Sequence, residues 1–122
     1  MKYPDSKISQ TILEFGTVLI NELPDNHSKQ ELEAMLSLII TVWNAAVIDQ
    51  WHNTNKNTQD VLASLTSLPI EAQLPIKRLF KRKQKRFADD HRAVGDHWVT
   101  ERDGELIFGC DARAKPESAT MQ

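Results

Sequence analysis

This sequence is short of several features that would have identified a function class. It has a single cysteine, Cys110, so no disulfide can close within it and nothing in its cysteine usage points to an oxidising compartment. The start, MKYPDSKISQ, lacks the apolar core of a secretion signal. The most apolar run, near residues 34–48, falls short of the ~18 to 20 apolar residues that a bilayer crossing takes. A cytoplasmic protein without a membrane span is therefore expected. There is no internal repeat, no long low-complexity segment and no specific catalytic or cofactor motif, so neither a cofactor nor a metal site is assigned from sequence.

What is present fits a soluble globular protein. The chain has 122 residues, the common size of one domain, with 40% hydrophobic and 26% charged residues. Residues 1–113 read as one domain. Residues 114–122, AKPESATMQ, are small and polar and read as a flexible tail.

Ile8, Ile12, Phe15, Leu19 and Leu23 recur every three or four residues, which predicts one helix running to Pro24. Ser28-Lys29-Gln30-Glu31 is a capping-box pattern, so a second helix should start there and run to about Trp51. Between Met35 and Ile48 its apolar residues cover most of the circumference, as in a helix packed on several sides. HNTNKNTQ reads as a polar connector. Val61, Leu62, Leu65 and Leu68 give a third helix an apolar face, and Ile70 to about Phe87 reads as a fourth, with Pro75 in its first turn or kinking it.

The period then changes. HWVTERDGELIFGC is a hairpin signal, because Asp103-Gly104 can supply the positive φ angles of a type I′ turn. That turn would set Arg102 opposite Glu105, Val99 opposite Phe108, Trp98 opposite Gly109 and His97 opposite Cys110. The expected fold is α+β, mainly α: a bundle of about four helices with a carboxy-terminal β-hairpin.

The stretches ITVWNAAVIDQWH and RFADDHRAVGDHWV are similar to stretches of short bacterial proteins of about this length. The resemblance implies a compact bacterial protein and brings no activity, ligand or functional residue with it.

Charge is the clearest functional signal. Residues 76–88 carry seven basic and no acidic side chains, whereas 1–75 carry four basic and nine acidic and 89–122 carry four and eight. On a helical wheel Ile76, Leu79, Phe80 and Phe87 share one side with Lys83, while Lys77, Arg78, Lys81, Arg82, Lys85 and Arg86 spread over the rest. Two readings of these six stay open. They are a solvated or internally neutralised face, with Glu14, Glu22, Glu31, Glu33 and Asp60 as the available acids, or they bind an anionic macromolecule. The expected function is that of a small non-enzymatic binding or regulatory protein using helix 76–87, with a protein partner favoured over nucleic acid.

The nucleic-acid alternative rests on a layout of helix, short break, basic helix and hairpin, which resembles a helix-turn-helix with a wing. Against it, the amino-terminal end of the basic helix is Ile70-Glu71-Ala72-Gln73, and the hairpin carries Glu101, Asp103, Glu105 and Asp111.

Catalytic readings have weaker support. His91 and His97 lie near Asp89, Asp90 and Asp96, residue types that can hold a metal or move protons, but the spacing matches no established zinc pattern. His97 opposite Cys110 raises the question of an activated thiol. Arg86 and His91, separated by four residues, loosely resemble the motif of HEPN-type ribonucleases, in which such a pair acts at a helical dimer cleft. Trp43 and Trp51 either fill the core or line a pocket. Ser37, Thr41 and Asn44 form a polar stripe that bonds internally or lets another helix approach closely, a second copy in a homodimer included.

Overall fold

The stripe of Ile8, Ile12, Phe15 and Leu19 is buried, but the helix that carries it is interrupted. In the computed structural model, which describes residues 7–116, α1 (Ile8–Phe15) gives way at Gly16 to the short α2 (Thr17–Ile20). A methyl group on Gly16 would run into Ile39, so the missing side chain is what lets this corner approach the central helix closely.

That central helix is α3 (Lys29–His52). Its start is the expected capping box: Glu31 N–H donates to Ser28 Oγ at 3.1 Å, and Ser28 N–H donates to Glu31 Oε1 at 2.8 Å. These bonds hold the Glu31 carboxyl below its ordinary range, the backbone donor of Ser28 contributing most. Leu32, Leu36, Ile39, Ile40, Val42, Trp43, Ala45 and Val47 are buried around its circumference. By length and composition α3 could cross a membrane, containing an 18-residue stretch of mean hydropathy 1.5. The count of consecutive apolar residues did not anticipate that, but here the helix is a core element contacted by its neighbours on several sides.

Asn53 ends α3 in the left-handed conformation, with φ 52° and ψ 50°. The polar connector is shorter than expected, since α4 (Lys56–Ser64) already begins within it. Its start is fixed by a side chain of α3. Asp49 is buried, and its carboxylate accepts from the Asn57 N–H and Nδ2 at 2.9 Å and from the Thr58 N–H at 2.8 Å. Burial alone would raise the Asp49 pKa, but the donors of Thr58 and Asn57 outweigh it and the net shift is downward. No α4 residue is fully buried; Leu65, just past its end, is, whereas Leu68 lies 42% exposed rather than in the core.

After the Leu68-Pro69 turn comes α5 (Ile70–Arg86). Pro75 sits inside the helix beyond its first turn. Ile76, Leu79, Phe80 and Lys83 are buried, with Phe87 just past the end. Phe15, Trp43 and Phe87 meet edge to face, with centroids 5.0, 5.6 and 5.8 Å apart, tying α1, α3 and the end of α5 together.

The hairpin of β1 (Ala93–Arg102) and β2 (Glu105–Arg113) closes the fold as an antiparallel pair in the expected register. Asp103 and Gly104 take φ 54° and 82°, as a type I′ turn needs. Val99 and Phe108 are buried, while on the outer face the half-exposed Trp98 ring covers the backbone at Gly109. A register shift falls between Val94 and His97. The fold is α+β, mainly α, as expected, with five helices among the described residues because the first predicted helix is split at Gly16. Residues 114–116 have no regular structure, and the rest of the expected tail lies outside the described residues.

Candidate partner-binding face on helix α5

The apolar stripe of α5 turns one side of the helix inward and so sorts its seven cations by direction. Lys83 goes in with the stripe. It is 1% exposed, and its Nζ donates to the Phe87 carbonyl at 2.7 Å, the Asp90 carbonyl at 3.0 Å and Gln50 Oε1 at 3.2 Å. The ammonium also lies 4.8 Å from the centroid of the Trp43 ring. Burial pushes its pKa down to about 8 against the pull of Asp90 and Asp89.

Arg82 lies on the flank that meets α1. Its Nε donates to the Phe15 carbonyl at 3.0 Å and its Nη2 to the Glu14 carbonyl at 2.9 Å, satisfying the last carbonyls of α1. Its guanidinium stands 5.4 Å from the Phe87 ring centroid. Arg82 thus differs from the other five cations with which the sequence groups it, because much of its hydrogen-bonding capacity is spent inside the chain.

Lys77, Arg78, Lys81, Lys85 and Arg86 are exposed. Among the described residues none of them forms an ion pair: Glu14, Glu22, Glu31, Glu33 and Asp60 do not reach them, and the ion pair that does form joins Arg92 to Asp90. Lys77 and Lys81, one turn apart, form one wall of a groove of about 900 Å³. Its other wall is the end of α3, the Asn53–Asn55 connector and the start of α4; Ala46, Leu62 and Phe80 give it apolar surface. The side-chain amides of Asn53, Asn55, Gln59 and Gln84 line it and make no hydrogen bond to other described residues.

The opposite flank of α3 is closed by the segment between α5 and β1. Trp43 Nε1 donates to the Arg92 carbonyl at 2.7 Å, Trp51 Nε1 to the His91 carbonyl at 2.8 Å, and Gln50 Nε2 to the Ala88 carbonyl at 3.1 Å. Asn44 pairs with both backbone groups of Val94, donating at 2.9 Å and accepting at 2.7 Å. Asp90, 1% exposed, takes Arg92 Nη2 at 2.6 Å and Arg92 Nε at 2.9 Å, bonds that hold the Arg92 pKa above its ordinary value.

Of the polar stripe of α3, Asn44 bonds to Val94 and Thr41 to the Ser37 carbonyl at 2.8 Å, while Ser37 and Thr41 themselves are exposed. Trp43 is core, whereas Trp51 lines a second hollow of about 440 Å³ beside residues 89–92 and 114–115.

The residues considered for catalysis do not converge. No group of three His, Cys, Asp or Glu side chains able to hold a metal occurs among the described residues. His91 and His97 are both exposed, and Asp90 is turned inward to Arg92. Arg86 closes α5 while His91 lies beyond it, so the two do not share a helix. His97 does face Cys110, but burial and then Asp111 push the thiol up to about 11, away from a reactive thiolate.

The groove was not legible in the sequence. HNTNKNTQ reads as a string of turn formers, and only the fold sets Asn53, Asn55 and Gln59 across from Lys77 and Lys81. Comparison with protein-family models, with curated proteins and with solved structures finds no match, so the geometry alone supports the functional reading.

Proposed function

We propose that this is a non-enzymatic binding protein of the cytoplasm that engages an acidic protein partner through the outer face of α5. One observation carries the reading: Lys77, Arg78, Lys81, Lys85 and Arg86 are exposed along a single helix with no ion pair among the described residues. A solvated face usually interleaves charges of both signs, whereas an unbroken positive face in a chain of net charge −2 sets up a local field that draws an anionic surface. The helix that carries the face is anchored in the core by Ile76, Leu79, Phe80 and Lys83.

A nucleic-acid regulator with a helix-turn-helix and wing layout has less support. A recognition helix usually offers its amino-terminal residues to base edges, and here that end exposes Ile70 at 69% and Leu74 at 44%, with no cation. The hairpin tip exposes Glu101, Asp103 and Glu105 beside Arg102, a poor match for phosphates. The main packing partner of α4 is α3, not α5.

Affinity capture from the native host, with and without nuclease, separates the two. Protein partners that persist after nuclease and are lost with a Lys81→Glu/Lys85→Glu variant are expected. Loss of all partners on nuclease treatment would transfer the reading to nucleic acid.

A further inference from the structure

The positive face has a flat part and a recessed part, and they suit different ligands. Arg78 and Lys85 point away from the core at the crest of α5, where a partner meets them as isolated surface charges worth little individually. Lys77 and Lys81 stand instead at the edge of the groove, opposite the end of α3 and the start of α4.

Three features of that groove belong together. Its cations lie on one wall. Its amides, Asn53, Asn55, Gln59 and Gln84, each offer a donor and an acceptor with no partner among the described residues, the pairing capacity that an extended peptide backbone requires. Between them Leu62, Ala46 and Phe80 supply an apolar floor. The acidic side chain in the lining, Asp49, is 5% exposed and committed to Asn57 and Thr58, so it presents little charge to a ligand.

We infer that this groove binds an extended acidic peptide segment, with one apolar side chain on the Leu62 and Phe80 floor and flanking carboxylates on Lys77 and Lys81. Resting on the acidic-partner reading, the inference names where on α5 the partner enters and what it must carry. A purely electrostatic contact needs neither the apolar residue nor the amides. A seated segment needs both, its backbone pairing with amides carried by the connector, α4 and α5 around the groove.

The test uses the full chain, isotopically labelled, and short synthetic peptides in which a central leucine is flanked by aspartates, with a glycine-for-leucine companion as control. Amide resonances of Asn53, Asn55, Gln59 and Gln84 should shift on titration at low salt, and the glycine peptide should bind about tenfold more weakly. Gln59→Trp fills the groove without touching any charge on α5 and should abolish the leucine dependence; Lys77→Glu/Lys81→Glu should weaken binding by about tenfold or more. Both variants must keep the dispersed spectrum of the folded chain. Shifts confined to Arg78, Lys85 and Arg86, unaffected by Gln59→Trp and by leucine, would overturn the groove and leave the acidic-partner reading standing. No binding of either peptide at low salt would overturn both.

Discussion

The last turns of α3 border two surfaces built on opposite lines. On one flank Trp43, Asn44, Gln50 and Trp51 each spend a polar group on the backbone of residues 88–94, and the buried Lys83 and Asp90 are hydrogen-bonded within the chain. On the other flank Asn53, Asn55 and Gln59 face a groove with no protein partner, and α4 buries no residue fully. The first surface has its hydrogen bonds committed internally and so holds the end of α5 rigidly. The second leaves them available, the condition for binding something else.

The largest effects should come from breaking the closed flank. Asp90→Ala leaves Arg92 without its carboxylate in a mostly buried setting and should cost about 3 kcal/mol, read from the urea midpoint. Asn44→Ala strips both backbone bonds from Val94 and should cost about 2 kcal/mol, with faster hydrogen exchange of the Val94 amide as the local signature.

Lys83 sharpens the contrast through pH. Its folded pKa of about 8 lies below the ordinary 10.5, so between those values the unfolded chain binds the extra proton and stability rises with pH. Below about 8 the ammonium is protonated in both states and this contribution is flat. The stability difference between wild type and Lys83→Met should therefore grow in favour of wild type across that window, measured by thermal unfolding at matched ionic strength. The smallest effects belong to the open flank, where Asn55→Ala and Gln59→Ala should each change stability by less than about 0.5 kcal/mol.

Legibility in the sequence followed the same division. Local chemistry was readable: the Ser28 capping box, the Asp103-Gly104 turn with its register, and the placement of Lys83 in the apolar stripe of α5 all depend on neighbours within a few residues. The break at Gly16 was not, because its cause is Ile39 on another helix. The early start of α4 was hidden for a similar reason: Thr54 takes the Lys56 N–H, but the Asn57 and Thr58 N–H groups are taken by Asp49 on another helix. The six cations looked equivalent on a wheel, and only the position of α1 shows that Arg82 closes its carbonyls. Which acids reach which bases is a property of the packed helices and not of their order.

The central claim is that the exposed cations of α5 serve a partner and not the fold. Its most direct test is the affinity of the captured partner for wild type and for Lys81→Glu/Lys85→Glu, measured over a range of salt concentrations alongside the thermal stability of both chains. A loss of about tenfold or more at low salt, narrowing as salt rises, is expected, with stability nearly unchanged. Equal affinities at every salt concentration, or a variant that loses stability in step with binding, would contradict it.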